Sequence, residues 1–149
     1  MAARLSTSQL SDAPELAEQA DASRRRVAPL ARADAESYGR VLEAYREPED
    51  RTSRVRDALS GAADVPLAVA EAGSEVAAIA SRLVKEGNPN LEGDAMAAVL
   101  LAGAGVRAAA KLVQINLSSA SVDDDRLRRA NSLADTTAAA VGRATEGDG

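Results

Sequence analysis

The sequence predicts an all-α fold, a single-domain antiparallel bundle of about five helices. Three observations carry that expectation. The apolar residues are nearly all Ala, Leu and Val, and Ala and Leu head the helix scale. No run alternates with period two over strand-like lengths, whereas apolar positions recur at steps of three and four through most of the chain. With 149 residues the chain supports one domain, 1–149, around one core. Phe and Trp are absent, and Tyr38 and Tyr45 are the only aromatics. An Ala-rich core of this kind requires closely packed helices and gains by pairing with a second subunit, so a homodimer is expected. Cys and His are also absent, which excludes thiolate chemistry and removes the commonest general base and zinc ligand. Acid–base chemistry then falls to carboxylates, Tyr or Lys. A formal net charge of -5 with interspersed basic residues argues against nucleic acid as a partner. No apolar stretch reads as long and unbroken enough to span a bilayer, and the start lacks a signal-peptide pattern. The expectation is a soluble, cytoplasmic protein.

Residues 1–11 are polar and weakly patterned, and read as a flexible end. Ser11 or Asp12 can cap the first helix, with Pro14 and Glu15 in its first turn. Leu16, Ala20, Ser23, Val27, Leu30, Asp34, Tyr38, Val41 and Tyr45 then follow on one face, up to Glu47-Pro48. Pro29 should kink this long helix or split it in two. Pro48-Glu49-Asp50 opens a short helix to about Ala62, with Val55, Ala58 and Leu59 inside and Arg51, Arg54 and Arg56 solvated. Asp64-Val65-Pro66 starts the next helix, whose inner face is Val69, Val76, Ile79 and Leu83. Residues 95–116 form the most apolar helix, with Met96, Val99, Leu100, Val106, Leu112, Val113 and Ile115. In its middle, Ala102-Gly103-Ala104-Gly105 is small enough to admit another helix at close range. Each glycine costs about 1 kcal/mol against Ala, so a packing reason is expected. Asp123-Asp124-Asp125 reads as a capping cluster for the last helix, since it lacks the spaced oxygens and Gly of a calcium loop. That helix carries Leu127, Ala130, Leu133 or Ala134, Thr137 and Val141 inward, and residues 145–149 read as a disordered tail.

The densest polar group is the corner Gly87-Asn88-Pro89-Asn90-Leu91-Glu92-Gly93-Asp94. Gly87 suits a left-handed helix end and Pro89 forbids continuation. Asp94 either caps the following helix or stands as an acid–base group at a site. Asp34 likewise has two readings. It lies on the wet edge of its stripe, or it lines a pocket together with Tyr38. Asn116, near the end of the apolar helix, caps it or points at a site.

Taken together, Asp34-Ala35 with Tyr38, Ala44-Tyr45-Arg46 with Pro48, Val65-Pro66-Leu67, Gly87-Asn88-Pro89-Asn90 with Asp94-Ala95, and Ile115-Asn116-Leu117 resemble one family. It is the cyclodeaminase domain of formiminotransferase-cyclodeaminase, with its bacterial relatives, the methenyltetrahydrofolate cyclohydrolases. The resemblance covers about residues 34–123. It implies an all-helical dimer acting on a tetrahydrofolate one-carbon derivative, by ring closure of formimino-tetrahydrofolate or hydrolysis of methenyl-tetrahydrofolate. No metal or cofactor beyond the folate substrate is implied. At the matched positions Asp94 would be the acid–base group, and Asn88, Asn90 and Asn116 would fix the pterin or the reacting carbon. Asp34 and Tyr38 would bind the pterin's donor edge, and Arg46 a carboxylate of the glutamate tail. The sequence departs from the family pattern in lacking its usual N-terminal glycine-rich segment. Gly93 also stands where a serine is common, and Leu112 where an asparagine is usual. These departures support an alternative, a diverged member acting as a cyclase or binding protein on a non-folate ligand, and a third reading as a purely structural bundle.

Overall fold

Prolines and glycines set the breaks between helices. The computed structural model describes residues 1–121 and 124–146. Among them are six α-helices and no strand: α1 Ala13–Val27, α2 Leu30–Arg46, α3 Arg51–Ala62, α4 Asp64–Glu86, α5 Glu92–Ala120 and α6 Asp125–Thr145. Short 3-10 turns, Ala3–Leu5 and Pro89–Leu91, precede α1 and α5. Pro29 divides α1 from α2, one of the two outcomes expected of it, although Ala28 and Pro29 keep right-handed helical dihedrals. Asp50 takes a left-handed conformation, φ 50°, where α2 gives way to α3. Asp124 caps α6 by accepting from the Arg126 amide at 2.8 Å, as expected of that cluster. Asp123 and residues 147–149 lie outside the described residues.

Helices α4, α5 and α6 pack on one another to form the core, α1 lies on α4, and α3 bridges α2 and α5. Leu117, Val99, Val106, Val113 and Thr137 are fully buried between them. Small residues set the spacing. A Cβ built on Gly103 would stand 2.6 Å from Cγ2 of Val141, and one on Gly73 2.7 Å from Cγ2 of Val106. Gly103 thus meets the expectation of close helix approach, against α6. Gly105 does not, because a Cβ there would meet nothing within 4 Å.

Several expectations are corrected. Residues 1–11 are packed: Ala3, Ser6 and Leu10 are buried, and Ala3 and Leu10 join Leu16, Leu83 and Ala95 in one cluster. Gly87 has φ -80° and ψ -167°, extended rather than left-handed. Glycine is needed there for space, since a Cβ would lie 2.4 Å from the Leu83 carbonyl oxygen. Asp12 and Asp94 make no side-chain cap bond. Finally, Pro89–Ala120 is long and apolar enough to cross a bilayer by length and composition, with mean hydropathy 1.6. Leu100, Leu112 and Ile115, expected inside, are among its exposed residues. Its buried face is instead Ala95, Val99, Gly103, Val106, Ala110, Val113 and Leu117.

Candidate functional site

The corner between α4 and α5 is built from its own amides. Asn88 accepts from the Asn90 amide at 3.0 Å through Oδ1 and donates from Nδ2 to the Leu5 carbonyl at 3.1 Å. Its backbone amide donates to Ser6 Oγ at 2.9 Å, and that hydroxyl in turn donates to the Ala2 carbonyl. This local turn chemistry fastens the N-terminal segment over the start of α5. Asn90 is exposed on the 3-10 turn. Asp94 sits in the first turn of α5, where the helix dipole favours its negative charge.

Asp94 stands at one end of a groove formed by α1, α4 and α5. The end compartment, about 360 Å³, is lined by Ala20, Val76, Ile79, Ala80, Leu83 and Ala98, with residues 1–3 at its rim. Among the described residues Asp94 is the one charged side chain lining it. Ala20, Val76 and Ala98 also line a middle compartment of about 440 Å³, with Ser23, Arg24, Gly73 and Leu101. Val27 and Val69 then join that compartment to a third of about 360 Å³, where Asp34 meets Leu30, Pro66, Gly105 and Leu112. The three compartments thus share walls along α5, are mostly apolar, and have a carboxylate lining each of the two end ones. The α5 wall from Asp94 to Leu112 is about 27 Å long at helical rise. Asp34 and Asp94 do not share a cavity.

Ser23, whose side chain lies within the bundle, donates to Glu75 Oε2 at 2.7 Å, and Arg26 pairs with the same carboxylate. Arg82 pairs with Asp12, donating from Nη2 to Oδ1 at 3.0 Å, and reaches Glu86 at 2.9 Å. The bond from Arg82 holds the Asp12 carboxyl below its ordinary value, and Arg4 does the same to Asp21. These ion pairs tie α1 to α4 and to the N-terminal segment. They position the groove walls, and nothing in the apolar periodicity of the sequence pointed to them.

The remaining residues singled out in the sequence are dispersed. Asn116 donates from Nδ2 to the Ala62 carbonyl at 3.0 Å, which clamps α5 to the end of α3. Asp34 is exposed, in agreement with the wet edge of its stripe, and it also lines a cavity. Tyr38 is 62% exposed one turn further along α2, and Arg46 is exposed at its last residue. Tyr45 borders a separate pocket with Arg51, Arg56, Ser119 and Ser121. Chemically, the Asp94 end sets a carboxylate beside an apolar wall, an arrangement able to hold a ligand with a flat apolar body and a polar edge.

Comparison with known proteins agrees with this architecture. The formiminotransferase-cyclodeaminase family matches residues 1–136. The chain is 32% identical over 132 residues to a methenyltetrahydrofolate cyclohydrolase of Methylorubrum extorquens, covering 82% of this chain. It spans 64% of that relative's length, less than two thirds. The crystal structure of formiminotetrahydrofolate cyclodeaminase from Thermotoga maritima superposes with a TM-score of 0.80 at 25% identity, over 93% of this chain and 71% of that one. With its profile matched along nearly the whole length and its helical fold shared, this chain belongs to the formiminotransferase-cyclodeaminase family.

Proposed function

We propose that the chain is a folate one-carbon enzyme of the formimino-tetrahydrofolate cyclodeaminase or methenyl-tetrahydrofolate cyclohydrolase type, active as a homodimer in the cytoplasm. One observation carries the reading: Asp94 is a lone carboxylate at the mouth of an apolar compartment within an otherwise helical, His-free and Cys-free chain. In ring closure the secondary amine outside the pterin ring attacks the formimino carbon held on the ring nitrogen and gives up its proton, and Asp94 delivers a proton to the nitrogen that departs as ammonia. In hydrolysis the same carboxylate takes a proton from the water that adds to the methenyl carbon. Asn90, exposed beside it, is free to bond the substrate. Asn88 and Asn116 hold backbone carbonyls, so their part is to fix the corner and the α5–α3 contact. Asp34, which lines the far compartment, serves the pterin edge with Tyr38 one turn on, and Arg46 at the last residue of α2 meets the glutamate tail.

The test is loss of the near-ultraviolet absorbance of 5,10-methenyltetrahydrofolate, run alongside release of ammonia from formimino-tetrahydrofolate. Asp94→Asn should lower kcat/KM by about 10²–10⁴-fold, the usual contribution of a positioned acid–base group. Equal rates for the variant and the parent chain would sink the assignment of Asp94. A second reading, a diverged member holding a non-folate ligand, is favoured by the side chains of Asn88 and Asn116 being engaged with backbone. Absence of turnover with a different small molecule retained in the groove would support it.

A further inference from the structure

The cavity bordered by Tyr45 has no part in the folate reading. It lies where the end of α2 and the start of α3 meet the last turn of α5, about 37 Å along α5 from Asp94. Its volume is about 470 Å³, larger than any compartment of the groove. Two guanidiniums line it, those of Arg51 and Arg56, with four hydroxyls from Tyr45, Thr52, Ser119 and Ser121. Among the described residues no carboxylate lines it, and Arg46 lies outside the lining. At about 100° per residue, Arg51 and Arg56 stand about 140° apart around α3, with Val55 and Thr52 between them. The two cations therefore flank one space. Val55 and the buried Ala120 supply its apolar part.

Both arginines can turn to a ligand. Among the described residues Arg51 pairs with no carboxylate, and its Nε donates to the Glu47 carbonyl at 3.4 Å. Arg56 meets Asp57 at 3.3 Å and donates to Ser53 Oγ at 3.3 Å, exposed contacts of the weak kind that exchange freely with other partners. The N-terminus of α3 and the C-terminus of α5 both border the cavity, and their dipoles oppose each other, so the guanidiniums set the sign of the local field. Ser121 and Asp50, which precedes Arg51, are the two non-glycine residues with positive φ among the described residues. Backbone held in this way clusters at ligand clamps. Two guanidinium forks and four hydroxyls exceed what the two oxygens of one carboxylate can use. A phosphate monoester offers three oxygens and a charge of about -1.5 to -2 at pH 7, which answers both forks and leaves acceptor sites for the hydroxyls. The geometry points to a binding site for a small phosphate monoester at the junction of α2, α3 and α5. Its oxyanion lies between Arg51 and Arg56, and its organic part against Tyr45, Val55 and Ala120.

The probes are inorganic phosphate and phenyl phosphate, titrated into the full chain by calorimetry at low ionic strength, with glutamate as the carboxylate comparison. Phenyl phosphate should saturate one site per chain, more tightly than inorganic phosphate and at least tenfold more tightly than glutamate. Arg51→Gln and Arg56→Gln should each weaken it at least tenfold, whereas Arg54→Gln, also on α3 but outside the lining, should leave it unchanged. Arg51→Lys should recover only part of the loss, because an ammonium lacks the planar fork. Affinity should rise from pH 5 to 7.5 as the phosphate loses its second proton near pH 6, and the chain has no His to titrate in that range. Circular dichroism checks that each variant is folded, and if one Gln variant loses helix the other carries the test. Titrations without saturation, unchanged affinity in the two Gln variants, an equal loss in Arg54→Gln, or glutamate binding as tight as phenyl phosphate would overturn the inference. Binding is read without turnover, so a chain inactive on folates tests the site equally well and the two readings fail separately.

Discussion

Replacing Gly103 by alanine measures how tightly α6 is held against α5. In a helix interior alanine is favoured over glycine by about 1 kcal/mol, so without neighbours the change would stabilise the protein. The added Cβ, however, would stand 2.6 Å from Cγ2 of Val141. Ordinary carbon–carbon contacts sit at ~3.5–4.0 Å, so roughly 1 Å of room must be found between two packed helices. Val141 cannot swing away cheaply because a β-branched side chain in a helix has one strongly preferred rotamer. Overpacking of this size costs about 1–3 kcal/mol. Gly39→Ala supplies the internal reference, since Gly39 lies mid-helix in α2 and a Cβ there meets nothing within 4 Å. The propensity gain is common to both variants and cancels in their difference, which leaves the packing cost alone. Gly39→Ala should therefore gain about 1 kcal/mol, and Gly103→Ala should fall about 1–3 kcal/mol below it. In a chain of this size that separates the two melting temperatures by roughly 2–10 °C. The assay is helix loss followed by circular dichroism, against temperature and against urea, at one fixed protein concentration. Equal stabilisation by both substitutions would refute the close approach at Gly103.

Three further outcomes follow from the bonds at the ends of the helices. Asn88→Ala removes the bonds to Leu5 and Asn90 and should cost about 1–2 kcal/mol, with amide exchange in residues 1–11 accelerating before the rest. Arg126 donates to the Ser60 carbonyl, Ser60 Oγ, Asp64 and Asp124, so Arg126→Ala should cost about 2 kcal/mol in urea melts. Arg126→Lys should recover only part of this, because one ammonium cannot span all four acceptors. The carboxyls of Asp12, Asp21 and Asp124 are each held below their ordinary value, by Arg82, Arg4 and Arg126 respectively. A lowered folded value means that their contribution is fully present above the ordinary carboxylate pKa of about 3.9 and disappears as pH falls through the lowered values. Stability should therefore decline below about pH 4, and Asp124→Asn should flatten that acid limb while lowering stability at pH 7.

Much of the fold is legible in local chemistry. Ala and Leu content, steps of three and four, and the positions of Pro29, Pro48, Pro66 and Pro89 determine helices and breaks, because each acts through the chain's own backbone within a few residues. The Gly87–Asp94 corner is legible for the same reason, and so is the cap at Asp124. What the periodicity of α5 leaves open is which of its two apolar sides faces the core. Leu100, Leu112 and Ile115 are as apolar as Val99, Val106 and Val113, yet they lie outside. The choice was made by packing against α4 and α6, where Gly73 of α4 admits Val106 and Gly103 of α5 admits Val141 at close range. Tertiary structure likewise decided that Asn88 and Asn116 bond backbone carbonyls and that Asp34 and Asp94 open into different cavities. An amide's partner and a carboxylate's cavity belong to segments distant in sequence, so they exist only once the helices have packed. The sequence by itself determined the helices and the family motifs; contact between helices decided which faces are covered and where each polar group is aimed.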